Sequence, residues 1–192
     1  MKPTIKKHIK FAFSLALFAS FGYHTNAQEE YLSAVKPVEL GKAPGMKVKL
    51  LSTLGETKTY MLIFSKGDEV VSGLTEFAQK YKVKSAHYTG IGDVLGAKAG
   101  WFNYTRKQFK IIDIDTSEIA SLIGDVASFN GKLIAHTHFS TATRDGLVHG
   151  GHLIELISGP TIEIIITTEP TPLYKKLDEE FNAGLIDPDL KK

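Results

Sequence analysis

From residue 46 onward the chain alternates apolar and polar residues with a period of two, which puts every second side chain on one face of a strand. Segments 46–54 and 57–64 form the first such pair, a predicted hairpin around Gly55-Glu56 with Tyr60, Leu62 and Phe64 on a shared face. The period then changes. Over 68–81, Val70, Val71, Leu74, Phe77 and Ala78 recur at helical spacing, with Asp68 and Glu69 in the first turn, where the helix dipole favours acids. Strand patterning returns over 85–90, 94–104, 108–115, 117–129, 132–141, 151–157 and 161–168, and a short helix is predicted over 173–181. Turns as short as Asn130-Gly131 and Ser158-Gly159-Pro160 favour antiparallel neighbours. The expected class is α+β: a single mainly antiparallel β-sheet with one long helix packed on it and a short C-terminal helix.

The N-terminal end reads as an address. Lys2, Lys6, Lys7 and Lys10 precede an apolar run over 11–21, and Thr25-Asn26-Ala27 offers small residues before a cleavage point at Gln28. A signal peptide is therefore expected over 1–27, with export to a periplasm or to the outside. The run is shorter than the about 20 residues a bilayer requires, and no other segment is long and apolar enough, so no membrane span is expected in the mature chain. Residues 28–45 are polar and carry Pro37, Gly41, Pro44 and Gly45, which marks a linker or a surface arm before a domain over 46–190.

Charge changes with the leader. The whole chain carries 23 basic and 21 acidic residues; losing four lysines and no acid turns a net +2 into −2. Arg106 and Arg144 are the two arginines. A duplex-DNA binder shows a basic stripe with arginines that reach base edges, and nucleic acid is not an expected partner here. With no cysteine, disulfides are absent and any metal site is restricted to nitrogen and oxygen donors.

Four of the seven histidines fall within 136–152, as His136-Thr137-His138 and His149-Gly150-Gly151-His152. On a strand, His136 and His138 share a face about 6.6 Å apart, close enough to bind one ion. The glycine pair is expected to turn the chain back and bring His152 in as third ligand. His149 can serve as a fourth ligand or a proton carrier. Zinc is the first candidate ion, with Fe, Ni, Mn and Cu(II) as the others such donors accept. Glu163 sits among isoleucines, where a carboxylate wants a partner; it is a candidate acceptor for a ligand histidine, or a general base. If the chain is catalytic, the ion activates a water and Glu163 or His149 carries the proton. The spacing matches neither H-E-x-x-H, nor the H-x-H of cupins, nor the H-x-H-x-D-H of metallo-β-lactamases.

The order of these segments resembles the plant and prokaryote conserved (PPC) domain, also described as a PD1-like DNA-binding motif. The likeness runs through Gly90-Ile91-Gly92, Ala99-Gly100-Trp101-Phe102, Leu122-Ile123-Gly124-Asp125-Val126, His136-Thr137-His138, the stretch from Asp145 to Leu153, and Thr161-Ile162-Glu163-Ile164. The resemblance implies a homotrimer with a metal site near the subunit interface at His136, His138 and His152. The AT-hook of plant relatives is absent, and of their Gly-Arg-Phe-Glu-Ile-Leu hexapeptide only Glu118-Ile119 remains. The reading is an exported PPC-domain protein that binds a divalent metal and a small polar or anionic ligand; the alternative is a non-enzymatic trimeric scaffold or binding module.

Overall fold

The alternating segments build strands that are longer and fewer than the sequence pattern divides them into. In this computed structural model, residues 29–35 and 37–191 are described; the leader read over 1–27 lies outside them. Strand β1 (Tyr31–Ser33) is followed by β2 (Lys47–Leu54), β3 (Thr57–Ser65), helix α1 (Val70–Lys80), β4 (Ser85–Asn103), β5 (Gln108–Ile114), β6 (Ser117–Phe129), β7 (Lys132–Thr143), β8 (Val148–Glu169), β9 (Tyr174–Asp178) and β10 (Ala183–Ile186). The sheet is antiparallel except where β9 joins β6. Its path is β1-β5-β4-β6-β7-β8-β3-β2, and β4 also pairs with β8, so that β4, β6, β7 and β8 close into a ring.

Two long strands make that closure possible. β4 absorbs the segments expected at 85–90 and 94–104, and β8 absorbs those at 151–157 and 161–168. Bulges at Gly90–Asp93 and Val94–Gly96 bend β4, and β8 follows the bend along the pairing. Gly92 takes φ +140 there, and a Cβ on it would lie 2.4 Å from the Thr161 carbonyl oxygen. The predicted turn at Ser158-Gly159-Pro160 is therefore a correction. Both halves of β8 pair with one bent neighbour, so a reversal has no strand to return to. The backbone of Ser158 instead bonds Gly67 and Asp68 at 2.9 Å each.

The core joins Leu62 and Phe64 of β3, Ile162, Ile164 and Ile166 of β8, Tyr88 of β4, Leu122 and Val126 of β6, and Val70, Leu74 and Phe77 of α1. Helix α1 begins one residue after Glu69, which acts as its cap rather than as a first-turn acid. The Glu69 carboxylate accepts from the Val71 and Ser72 amides and also from Leu156 of β8. It thus ties the helix to the ring.

The helix expected over 173–181 is a second correction. That segment is strand β9, which pairs in parallel with the end of β6 through Ser128↔Tyr174 and Phe129↔Lys175, then with β10 around Asn182 at φ 51. Leu173, Leu177 and Phe181 do recur at helical spacing. Nine residues make a marginal helix by themselves, and the open edge of β6 supplies backbone partners that override the period.

Gly150 and Gly96 separate close approach from mere looseness. A Cβ on Gly150 would sit 2.1 Å from the Phe139 carbonyl oxygen, whereas one on Gly96 meets nothing nearer than 3.8 Å. Gly150→Ala is expected to lower the unfolding free energy by more than about 2 kcal/mol, and Gly96→Ala by less than about 1 kcal/mol, in urea titrations of the two proteins.

Candidate metal centre

A two-residue turn sets the site. Asn130 and Gly131 both take positive φ, 51 and 75, the backbone of a tight hairpin whose twist matches its strands. The hairpin locks β6 against β7, so that His136 faces Asp125 and His138 faces Ile123. Alternation then sorts β7: Ala135, Thr137, Phe139 and Thr141 are buried in the core, and His136 and His138 project from the opposite face. Tyr88 and Thr137 hydroxyls bond at 2.6 Å beneath them and hold the strand from the inside.

The third histidine arrives by a different turn from the expected one. The chain reverses at 144–147, where the Asp145 carboxylate accepts from the Thr143 hydroxyl at 2.6 Å and the Leu147 amide at 3.2 Å. β8 then returns beside β7 with His152 directly opposite His138. Gly150 and Gly151 lie inside β8, and their role is close approach. Gly151 takes φ +150, and a Cβ there would stand 2.8 Å from the Gly100 carbonyl oxygen. Lacking side chains, the pair lets β8 fit between β7 and β4 at the point where His152 begins its pairing with Gly100.

The three rings face one another with centroids 5.2 Å (His136–His138), 5.1 Å (His136–His152) and 5.7 Å (His138–His152) apart. One nitrogen from each lies within 4.8 Å of the other two. Ligands bound about 2 Å from one ion stand no more than about 4 Å apart, a gap that imidazole rotation closes. His152 Nδ1 is buried and has no hydrogen-bond partner in the protein, the kind of orphaned donor-acceptor atom that a metal satisfies. The residues fit an N-donor metal site.

Around the triad stand three groups. Asp125 Oδ2 is 3.5 Å from His136 Nδ1, which favours the proton on that nitrogen and leaves Nε2 for a metal. Lys175 Nζ is 3.6 Å from Asp125 Oδ1. The Phe109 ring stacks on His152 at 4.3 Å with planes 3° apart. Gly100 makes room for it, since a Cβ there would meet the Phe109 ring at 2.9 Å. Burial under that ring, reinforced by His136, His138 and Lys175, pushes the His152 imidazole down to about 3. Burial and His136 also lower His138, against the pull of Asp125. For Asp125, burial works upward, but His136 and Lys175 outweigh it and hold the carboxyl below its usual range. Both lowered imidazoles are neutral at pH 7, the form that binds metal.

Of the residues named from sequence, the structure brings His136, His138 and His152 together. His149 is exposed, pairs with Thr141, and lies outside the cluster. Glu163 pairs with Ile63 and Ile91 much farther along β8 and is exposed. The carboxylate behind a histidine of the triad is Asp125 instead, beside His136. Its partner was readable: the Asn130-Gly131 turn fixes residues 125 and 136 as opposites. Phe109 and Lys175 carried no comparable signal.

A family model described as the Plants and Prokaryotes Conserved domain matches residues 51–170. A candidate DNA-binding protein of Ralstonia eutropha JMP134 is 30% identical, with a TM-score of 0.66 over 72% of this chain and 95% of that one. A plant- and prokaryote-conserved protein of Pyrococcus horikoshii is 27% identical, with a TM-score of 0.64 over 75% of this chain and 97% of that one. A protein of Archaeoglobus fulgidus described as metal-containing shares the fold at 23% identity and a TM-score of 0.63, over 74% and 97% of the two chains. No curated protein matches the sequence.

The lowered imidazoles carry a sign for stability. An unfolded histidine titrates near 6.5, so between that value and about 3 the unfolded chain binds more protons than the folded one. The stabilisation is complete above about 6.5 and is lost as pH falls toward 3. Metal-free protein is expected to unfold at lower urea at pH 5 than at pH 7, and His152→Leu is expected to flatten that dependence.

Proposed function

Because the chain belongs to the Plants and Prokaryotes Conserved domain family, we propose that it is an exported, trimeric protein that binds a divalent ion, zinc first among the candidates, through His136, His138 and His152, with a small polar or anionic molecule as ligand. Two observations carry the proposal: three imidazoles from two neighbouring strands present nitrogens within 4.8 Å of one another, and the His152 ring has a buried Nδ1 without a hydrogen-bond partner in the protein. The metal-containing character of the Archaeoglobus fulgidus protein agrees with that chemistry.

An ion held by three neutral imidazoles would supply a Lewis acid with open positions. The protein's own groups do the rest. Asp125 orients His136, Phe109 shields His152 from water, and the paired strands hold His138 against His152. Binding is the core of the reading, since neither His149 nor Glu163 stands beside the triad.

Trimer formation is supported by an unusual row on the same face. Ile165, Thr89, Ile123, His138 and His152 are successive cross-strand neighbours. Ile123 is 54% exposed and Ile165 46%, apolar surface that a second subunit would cover beside the histidines. Export rests on the leader over 1–27. Once the leader is removed, the net charge of −2 and the two arginines argue against nucleic acid as the partner, so the DNA-binding description of the Ralstonia relative is not extended to this chain.

Elemental analysis of purified protein tests the site. Wild type is expected to hold one ion per chain and the His136→Ala/His138→Ala variant none; equal content in both overturns the reading. Asp125→Asn is expected to keep the ion with affinity reduced ten- to a hundredfold, as measured by competition with a chelator.

A further inference from the structure

Lys175 lies outside the 51–170 span that the family model matches, on the β9–β10 hairpin that docks against the end of β6. Its side chain is only 6% exposed. Burying an ammonium is costly unless it is paired, and here its partner is Asp125, the carboxylate that supports His136. Lys175 also disfavours a proton on His152, after burial and the two neighbouring histidines. Asp125 favours a proton on His138 and Lys175 disfavours one on His152, the first charge negative and the second positive.

The consequence is a matter of charge balance. Asp125 by itself would offset part of the charge of a divalent ion on the triad. With Lys175 against it, the carboxylate still holds the His136 proton in place but contributes no net charge. Three imidazoles contribute none either. We propose that Lys175 is a specificity-determining residue of the metal site: by cancelling Asp125 in a half-buried ion pair, it leaves a three-histidine divalent ion with its full positive charge, and so selects a small carboxylate over a neutral molecule of the same shape. The inference rests on the metal-site reading and adds the ligand class to it.

A purely structural lysine would act differently. Its loss would weaken hairpin docking, metal binding and ligand binding together. A charge role moves the last two in opposite directions, since removing the cation favours the metal and disfavours the anion.

The test uses acetate and acetamide, which share a shape and differ in charge, on cobalt(II)-loaded full-length protein followed by its visible absorption. Zinc affinity is measured separately by chelator competition. Wild type is expected to bind acetate at least tenfold more tightly than acetamide. In Lys175→Met, acetate binding is expected to weaken roughly tenfold and zinc binding to strengthen by a similar factor, with acetamide unchanged. Lys175→Arg keeps the charge and is expected to retain wild-type values. Equal acetate-to-acetamide ratios in wild type and Lys175→Met overturn the inference, as does joint loss of zinc and acetate in a folded Lys175→Met protein. If Lys175→Met does not fold, wild type alone decides: a cobalt-loaded protein that binds the two probes equally contradicts the proposal. A wild type that takes up neither zinc nor cobalt overturns the metal reading itself, a result distinct from the others.

Discussion

At Gly151 and His152, β8 lies between two strands at once, and the ring of β4, β6, β7 and β8 depends on that contact. Residues 148–152 of β8 pair with β7, while from residue 152 onward β8 pairs with β4. Three backbones can come so close only where side chains are missing. Gly150 approaches Phe139, Gly151 approaches Gly100, and Gly100 in turn lies under the Phe109 ring. The same contact places His152 opposite His138 and seals its other side with an aromatic ring. Closure of the sheet and construction of the triad are one event, and a Cβ at either glycine would disturb both.

The electrostatics follow from that geometry. A ring stacked at 4.3 Å removes water from His152, and desolvation penalises the protonated form, so the imidazole is held neutral at ordinary pH. His136 is more open and receives its order from Asp125 instead. The triad thus combines one imidazole preorganised by burial, one by a carboxylate, and one, His138, by its place between them. Lys175 reaches this arrangement from the C-terminal hairpin, and it sets the charge of the surroundings rather than their shape.

Much of this was legible in the residues. Period-two alternation located the strands, and the 3.6 period of Val70, Leu74 and Phe77 located α1. The histidine cluster marked the site. The Asn130-Gly131 turn also carried more than a strand boundary: a two-residue hairpin sets register, and register makes Asp125 the neighbour of His136. What stayed hidden was long-range. The pairing of β4 with β8 turns Ser158-Gly159-Pro160 from a reversal into a bend, and it converts Gly150-Gly151 from a turn into a contact. Local composition favours turns at both places. Likewise, Leu173, Leu177 and Phe181 mimic a helix because the β6 edge that captures β9 is more than forty residues away in sequence. A helix over 173–181 gives Lys175 no place at the site; strand β9, paired beside Phe129, does.

The central claim is that three imidazoles bind one ion. X-ray absorption at the metal edge of the protein as purified tests it most directly. A three-imidazole site predicts a shell of nitrogen and oxygen at about 2.0–2.1 Å with the multiple scattering of about three imidazole rings. A shell of oxygen donors without that imidazole signature would contradict it.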